Sequence, residues 1–202
     1  MEAIAVVDVG LGNVASVQNM LRRLGATVVS ASSPDSLSDF SGIVLPGVGA
    51  YDTGVQRLRD SGLYEALANL PPEQPLLGIC LGMQLLGLGS EEGSQSGLGR
   101  VDAHFVRLHD GEYPVPHMGW NEISLVGSDP VMRRLPPRSR FYFTHSYHAQ
   151  CADPESVIAC ADYGHSVVAA YRNKGSVGVQ FHPEKSHRFG MAFLRSWMEE
   201  LC

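Results

Sequence analysis

A pentapeptide with a glycine at each end, Gly78-Ile79-Cys80-Leu81-Gly82, constrains the fold of this chain more than any other feature. The apolar run before it is typical of a buried strand, and the run 83–86 after it is typical of a helix. A small-x-nucleophile-x-small turn between strand and helix is a nucleophile elbow, here with cysteine in place of serine. The turn lifts the sulfur off the strand end and sets it beside the free N–H groups of a helix start, which favour the thiolate. The alternative is a buried structural cysteine, the commoner setting for a cysteine considered alone.

A base for this cysteine is found near the other end of the chain. The apolar run 178–181 is followed by His182-Pro183-Glu184. Residues two apart in an extended chain point to the same side, so Glu184 is predicted to orient the imidazole of His182 as the third member of a triad with Cys80. Pro183 places the pair at the end of a strand. Taken alone, the pair is equally compatible with a surface histidine beside a surface glutamate.

Length, charge and cysteine usage exclude several classes of protein. The 202 residues fit one domain, predicted to span 1–202, and the net charge of −6 argues against a general nucleic-acid binder. The four cysteines form no C-x-x-C pair, which favours a reducing cytoplasm. The first residues carry no basic segment typical of a signal peptide, and the most apolar window, 75–89, is too short to cross a bilayer. We therefore expect a cytoplasmic protein that binds neither nucleic acid nor membrane.

Hydrophobic periodicity divides the chain into two halves. Strands are predicted at 3–9, 27–30 and 43–45, with a helix at 13–24 and one or two helices within 52–70. This alternation predicts a parallel, doubly wound sheet around the elbow strand. Beyond residue 89 the pattern is mostly β and favours antiparallel pairing, before a last helix at 188–201. The short runs in this half are 101–108, 120–126, 140–147, 156–161, 167–171 and 176–181.

One further pattern suggests a nucleotide site. Gly10-x-Gly12-x-x-Ala15 follows a strand and opens a helix, as a dinucleotide-binding fingerprint does. The acidic residue that should end the second strand is absent, since Ser30 stands there. Tight turns between strand and helix select glycine in any case, so we do not predict nucleotide binding.

Six motifs run through the chain from near residue 8 to residue 186. They are Gly10-Leu11-Gly12-Asn13, Leu45-Pro46-Gly47-Val48-Gly49-Ala50, Gly78-Ile79-Cys80-Leu81-Gly82-Met83-Gln84, Pro116-His117-Met118-Gly119-Trp120-Asn121, Phe143-Thr144-His145-Ser146-Tyr147 and Gln180-Phe181-His182-Pro183-Glu184-Lys185-Ser186. Taken together, they resemble the class I glutamine amidotransferases and, in their finer wording, the glutaminase subunits of imidazole glycerol phosphate synthase. The segments 46–49 and 117–121 separate these subunits from related amidotransferases. The chain departs from the pattern at Val9, where the family often has tyrosine, and after Met83, where it is glycine-rich.

The resemblance implies an α/β, flavodoxin-like, doubly wound sheet that is mixed but mainly parallel, with antiparallel additions in the C-terminal half. It also implies hydrolysis of L-glutamine through a glutamyl thioester on Cys80, with His182 moving the proton and Glu184 fixing the imidazole. The backbone N–H groups of Leu81 and Val48 are expected to form the oxyanion hole. The expected glutamine-binding residues are Gly47, Gly49, Gln84, Glu92, His145, Ser146 and Tyr147.

The same resemblance implies a heterodimer with a TIM-barrel cyclase subunit, which uses the ammonia to close the imidazole ring in histidine biosynthesis. The segment 116–121 is predicted to be an irregular loop, and Asn13, Trp120, Tyr142 and Lys185 are predicted to contact the partner. No cofactor is expected. No metal is expected either, because neither a cysteine nor an acid completes a ligand set with His145 and His148.

Three alternatives remain open at this point. The chain is alternatively the glutaminase of another ammonia-dependent synthase, or a non-catalytic regulatory or scaffolding relative. It is also compatible with a cysteine peptidase or γ-glutamyl hydrolase that acts alone.

Overall fold

The computed structural model of the protein describes residues 3–35, 37–109 and 113–202. Twelve strands and five α-helices lie within these residues. The strands are β1 (Ile4–Val7), β2 (Val28–Ala31), β3 (Gly42–Gly47), β4 (Leu76–Cys80), β5 (Gly89–Ser90), β6 (Ala103–Arg107), β7 (His117–Leu125), β8 (Arg140–His145), β9 (Tyr147–Cys151), β10 (Val157–Asp162), β11 (Ser166–Asn173) and β12 (Ser176–Val179). The helices are α1 (Val14–Arg23), α2 (Tyr51–Asp60), α3 (Leu63–Ala68), α4 (Leu81–Leu86) and α5 (His187–Leu201).

Nine of these strands form one mixed sheet in the order β2-β1-β3-β4-β12-β11-β10-β7-β8. The first five are parallel to their neighbours, and the remaining pairings are antiparallel. A second sheet of three strands has the order β5-β6-β9. The predicted fold class is confirmed, with parallel strands in the N-terminal half and antiparallel strands in the C-terminal half.

Helices cover both faces of the parallel part of the sheet. Side chains that alternate along β1, such as Val6 and Val7, enter opposite cores. One core packs against α1 and α5, where Trp197 is fully buried, and the other packs against α2, α3 and α4. Burial on both faces explains why these strands are continuous apolar runs in the sequence.

The order of the strands brings three chain segments to one edge of the sheet. Parallel strands β3, β4 and β12 are adjacent, and Gly47 at the end of β3 is paired with Cys80 at the end of β4. His182 follows the end of β12. The carboxyl ends of neighbouring parallel strands are the usual place for a site in an open α/β sheet.

One expectation about local structure is wrong, and one strand was not predicted. The segment 117–121 is not an irregular loop but the first half of β7, paired with β8 so that Trp120 lies opposite Tyr142. Strand β9 was not predicted, although its apolar residues alternate: Tyr147, Ala149 and Cys151 pack on one core while the strand pairs with β6.

Candidate active site

Cys80 occupies a strained turn between β4 and α4. Its backbone has φ 53° and ψ −108°, in the left-handed half of conformational space that residues with a Cβ rarely adopt. The flanking glycines leave the room that this turn needs. A Cβ at Gly82 would lie 1.8 Å from the carbonyl oxygen of Leu45, and one at Gly78 would lie 2.6 Å from that of Gly82. The strand, turn and helix are those of a nucleophile elbow.

His182 and Glu184 form a buried pair beside this turn. Glu184 Oε1 lies 2.7 Å from His182 Nδ1, and the side chains are only 1% (His182) and 6% (Glu184) exposed. The backbone N–H of His182 donates to the carbonyl of Tyr142, while the Ser186 hydroxyl donates to the carbonyl of His182. From the sequence, the pair is expected in extended chain. The residues Pro183–Lys185 instead form a 3₁₀ turn, which brings the two side chains together.

The environment of His182 favours its protonated form. Burial lowers the pKa of His182, but the interactions with Cys80 and Glu184 outweigh burial and raise the pKa to about 9. Its Nε2 is buried near Cys80 and makes no hydrogen bond of ordinary geometry with the residues that the structure describes. An imidazolium between a carboxylate and a thiol sulfur can therefore hold a proton ready for a leaving group.

Two polar groups at Cys80 were not identified from the sequence. The side-chain amide of Gln180, which is fully buried, donates to Cys80 Sγ at 3.7 Å, and Sγ itself lies 3.9 Å from the carbonyl oxygen of Thr144. Gln180 could have been predicted, because it is a polar residue directly after the buried run of β12. Nothing in the sequence marks the carbonyl of Thr144.

A pocket of about 300 Å³ opens next to the sulfur. Most of the predicted oxyanion and glutamine-binding residues line it. The lining residues are Val48, Gly49, Cys80, Leu81, Gln84, Glu92, Pro116, Thr144, His145, Ser146 and Tyr147. Gly47 lies behind this wall, where a Cβ would come within 3.0 Å of Leu81 Cβ. The size suits a small substrate with a few polar groups.

The two polar side chains predicted to bind glutamine differ in their settings. Gln84 is buried on α4, and its Oε1 has no partner within the described part of the chain. Glu92 is exposed and accepts a hydrogen bond of 3.0 Å from the backbone N–H of Tyr51, at the start of α2. Its carboxylate is thus held at the rim of the pocket by one oxygen.

The glycines of the apparent nucleotide fingerprint lie in a tight turn beside Arg57 and the loop of Val48. Both have positive φ, 72° for Gly10 and 102° for Gly12. A Cβ at Gly12 would lie 3.4 Å from Val48 N, and one at Gly10 would lie 2.3 Å from the guanidinium of Arg57. The turn therefore packs against the loop that carries the predicted oxyanion donor.

The predicted partner-binding residues fall into one cluster and one outlier. Trp120 is 41% exposed, stacks on His187 with ring centroids 5.6 Å apart, and meets Tyr142 edge-on. Lys185 Nζ lies 5.5 Å from the Tyr142 ring centroid. Asn13 stands apart as the N-cap of α1, accepting from the backbone N–H of Ser16. We call Trp120, Tyr142, Lys185 and His187 the aromatic patch.

His145 and His148 are not directed at a common ligand. His145 is hydrogen-bonded to the Tyr147 carbonyl and to His117, whereas the His148 ring lies 5.4 Å from that of His165. Over residues 3–35, 37–109 and 113–202, no group of three potential metal ligands is close enough to hold an ion. None of the helices in that part of the chain is long and apolar enough to span a membrane.

Comparison with known proteins agrees with this geometry. The family model for class-I glutamine amidotransferases matches residues 5–200. The chain is 43% identical over 199 residues to imidazole glycerol phosphate synthase subunit HisH 2 of Pseudomonas aeruginosa, covering 97% of this chain and 98% of that protein. It is 42% identical over 202 residues to subunit HisH of Bdellovibrio bacteriovorus, covering 97% of this chain and 99% of the relative.

Solved structures share the same fold at lower identity. The crystal structure of a glutamine amidotransferase from Thermotoga maritima aligns with a TM-score of 0.65 at 19% identity, over 100% of this chain and 84% of that one. The chain therefore belongs to the class I glutamine amidotransferase family. Within that family it groups with the HisH glutaminase subunits of imidazole glycerol phosphate synthase, which serve histidine biosynthesis. The resemblance and the enzyme class expected from the sequence are confirmed.

Proposed function

We propose that this chain hydrolyses the side-chain amide of L-glutamine through Cys80, His182 and Glu184 and delivers the ammonia to a cyclase subunit. The observation that carries the proposal is the buried His182–Glu184 pair beside a cysteine that is held in an elbow and lines the pocket. The proposal treats 1–202 as one glutamine amidotransferase domain and L-glutamine as the ligand of the pocket.

The reaction proceeds in two halves. Cys80 Sγ attacks the amide carbon, and the carbon–nitrogen bond breaks as His182 Nε2 gives its proton to the departing nitrogen, which leaves as ammonia. Water then attacks the thioester while His182 takes its proton, so that glutamate leaves and the sulfur is regenerated. Glu184 accepts from Nδ1–H throughout and holds the ring in place.

Charge that develops on the amide oxygen needs donors in front of it. Leu81 N–H, at the start of α4, is the first proposed donor, and Val48 N–H is the second. Each such donor is typically worth about 3 kcal/mol of barrier. Support comes from the position of both residues in the pocket wall and from Gly49, whose φ of 107° lets the Val48 segment turn tightly.

The remaining pocket residues are proposed to hold the two ends of glutamine. Glu92 pairs with the α-ammonium group at the rim, and Gln84 donates and accepts from α4. The backbone of His145, Ser146 and Tyr147 forms the opposite wall. Gly47 and Gly49 flank Val48 and, having no side chains, leave space for glutamine beside that loop. All of these except Gly47 line the pocket directly.

The proposed partner is the TIM-barrel cyclase subunit, bound as a heterodimer over the aromatic patch and Asn13. Exposed aromatic residues are enriched in protein interfaces, and the patch is joined to the site because Tyr142 accepts from the backbone of His182. We also propose a cytoplasmic location. It is supported by the four cysteines, which are all free thiols.

Reconstitution with the cyclase tests this function. We would measure glutamate from the chain alone, with the cyclase, and with the cyclase plus its nucleotide substrate, and compare glutamate with the imidazole product. The chain alone is expected to be slow, and the full system fast, with the two products formed in equal amounts. The Cys80→Ser variant should form neither. Equal rates in all three mixtures, with ammonia lost to solution, would favour a free-standing hydrolase.

The docking surface is tested separately by Trp120→Ala. A central interface tryptophan commonly contributes about 2 kcal/mol or more, so the dissociation constant for the cyclase should rise at least roughly thirtyfold. Leu125→Ala is the matched control, because Leu125 is an equally exposed apolar residue of β7 outside the patch. An unchanged affinity for the Trp120 variant, measured by titration calorimetry, would place the partner elsewhere.

A further inference from the structure

Two buried histidines outside the triad lie in a continuous chain of hydrogen bonds that ends in the pocket wall. His145 Nδ1 lies 2.8 Å from the carbonyl oxygen of Tyr147, and His145 Nε2 lies 3.0 Å from His117 Nδ1. His117 Nε2 lies 3.2 Å from the side-chain nitrogen of Asn121, which also donates to the carbonyl of Asp162 at 2.8 Å. We call Asn121, His117 and His145 the histidine relay.

The direction of every bond in the relay follows from its two ends. The Asn121 amide nitrogen donates to the Asp162 carbonyl and carries a second hydrogen, so it also donates to His117 Nε2. His117 therefore accepts at Nε2 and carries its proton on Nδ1, which donates to His145 Nε2. The Tyr147 carbonyl only accepts, so His145 carries its own proton on Nδ1. Both rings are therefore neutral and both are protonated on Nδ1. Burial lowers the pKa of His145 to about 3 and that of His117 to about 4, which agrees with two neutral rings.

The packing of the relay holds its rings in place. His117 is stacked between two aromatic rings, with centroids 4.6 Å from Phe143 and 4.0 Å from Tyr163. It is 2% exposed and His145 is 5% exposed. Asn121 and His117 lie on β7, opposite β8, so a paired strand anchors one end of the relay and the pocket segment lies at the other.

We propose that His117 is a positioning residue for glutamine binding, which acts through His145 to fix the Tyr147 carbonyl and with it the backbone of the pocket wall at 145–147. The proposal rests on the function proposed above, in which this wall holds one end of glutamine. It assigns His117 no contact with substrate and no proton transfer. Its effect is on the geometry of the wall and thus on the binding of glutamine.

Two substitutions separate positioning from packing. His117→Phe keeps a flat ring between Phe143 and Tyr163 but removes the donor to His145. His117→Asn gives up the stacking but keeps an N–H near the place of Nδ1. The loss of a hydrogen bond that leaves a buried acceptor without a donor weakens binding by about one order of magnitude, so the KM for glutamine should rise roughly tenfold in His117→Phe with kcat nearly unchanged. His117→Asn should recover part of this loss. If His117 served only to pack between Phe143 and Tyr163, the Phe variant would keep the wild-type KM and the Asn variant would show the larger rise.

The kinetic test uses the complex with the cyclase, and His104→Phe is its control because His104 is an exposed histidine of β6. Unfolding by urea reports whether each variant is folded. A folded His117→Phe complex with wild-type KM would overturn the proposal, as would an Asn variant with a higher KM than the Phe variant. The proposed function fails differently: wild-type complex would then produce no glutamate at all.

Nitrogen NMR of the wild-type chain gives a test that is independent of activity. Both rings should show a protonated Nδ1 and an unprotonated Nε2, the less common tautomer of a free imidazole, and should keep it down to about pH 5. Finding the Nε2–H tautomer in either ring would reverse a bond of the relay and overturn the assignment.

Discussion

At Cys80 the backbone adopts a conformation that costs a residue with a Cβ about 1–3 kcal/mol. The strain aims the sulfur into the pocket, where Gln180 and the Thr144 carbonyl meet it. The conformation belongs to the turn and not to the sulfur, because the flanking Gly78 and Gly82 are packed against backbone atoms. Removing the sulfur should therefore leave the turn in place.

A comparison of two substitutions measures this strain. Cys80→Ala and Cys80→Gly should both abolish glutamine hydrolysis, but the glycine variant should be more stable by about 1 kcal/mol, since glycine adopts positive φ without a steric cost. Urea unfolding gives the difference. The same pair of substitutions at Cys160 in β10 is the control. There Cys160→Gly should be less stable than Cys160→Ala, because glycine is unfavourable inside a strand. A Cys80→Gly variant less stable than Cys80→Ala would argue against a strained elbow.

The two partners of Cys80 should differ in their contribution to the rate. His182→Ala removes the group that moves the proton, whereas Glu184→Gln leaves an amide oxygen that can still accept from Nδ1–H. We expect kcat to fall by about 10⁴-fold or more in the first and by less in the second. Steady-state glutamate production in the cyclase complex measures both, and values of kcat near that of wild type would remove the pair from the mechanism.

At the scale of single elements, the elbow depends on close contact between β3 and α4. Gly82→Ala would place a methyl group 1.8 Å from the Leu45 carbonyl oxygen, so either the strand or the helix must move. We expect a loss of at least about 3 kcal/mol in the free energy of unfolding, together with loss of activity.

The matched control for this substitution is Gly127→Ala. Gly127 has φ 69°, and no atom lies within 4 Å of the place that a Cβ would take, so alanine there meets only the cost of positive φ, about 1 kcal/mol. The difference between the two variants in urea unfolding isolates the steric term. Equal losses would show that the backbone of the elbow can adjust freely.

Local sequence patterns predicted the elements that are buried on both faces and missed those that depend on pairing. The strands around Cys80 are apolar runs, so the elbow and its place in a doubly wound sheet could be predicted. β7 has few apolar residues over 117–121 and includes Gly119 at φ 128°, so its pairing with β8 could not be read from its own composition. The sequence identified His182 and Glu184 but not the 3₁₀ turn at Pro183–Lys185. The backbone of His182 is held by the carbonyl of Tyr142, a contact from another strand that the local sequence does not show.

The same limit applies to the site. Cys80, His182 and the glycine loop are marked by local motifs, whereas the partners of His117 come from 121, 143, 145 and 163, which only the folded sheet brings together. A histidine at position 117 is visible in the sequence, but its burial and its bonds are properties of the tertiary structure.

For the whole molecule, the buried histidines set opposite trends of stability with pH. Burial lowers the pKa of three of them, to about 3 in His145 and about 4 in His117 and His148. The unfolded chain takes up these protons near pH 6.5, while the folded chain does not, so stability is lost as the pH falls from 6.5. For His182, whose pKa is raised to about 9, the folded state binds the proton more tightly, and stability is lost as the pH rises from 6.5 to 9.

The free energy of unfolding should therefore have its maximum near pH 7 and fall on both sides, because three histidines act on the acid side and one on the alkaline side. Each buried neutral histidine contributes a slope of about 1 kcal/mol per pH unit between roughly pH 6 and 4.5, because its proton is bound only in the unfolded state. Urea unfolding at half-unit steps from pH 4.5 to 9 measures the curve. His148→Phe should flatten the acid limb and leave the alkaline limb unchanged, whereas His182→Ala should flatten only the alkaline limb between 6.5 and 9. The exposed His104→Phe variant should follow the wild-type curve. An acid limb unchanged by His148→Phe would mean that this histidine is protonated in the folded protein.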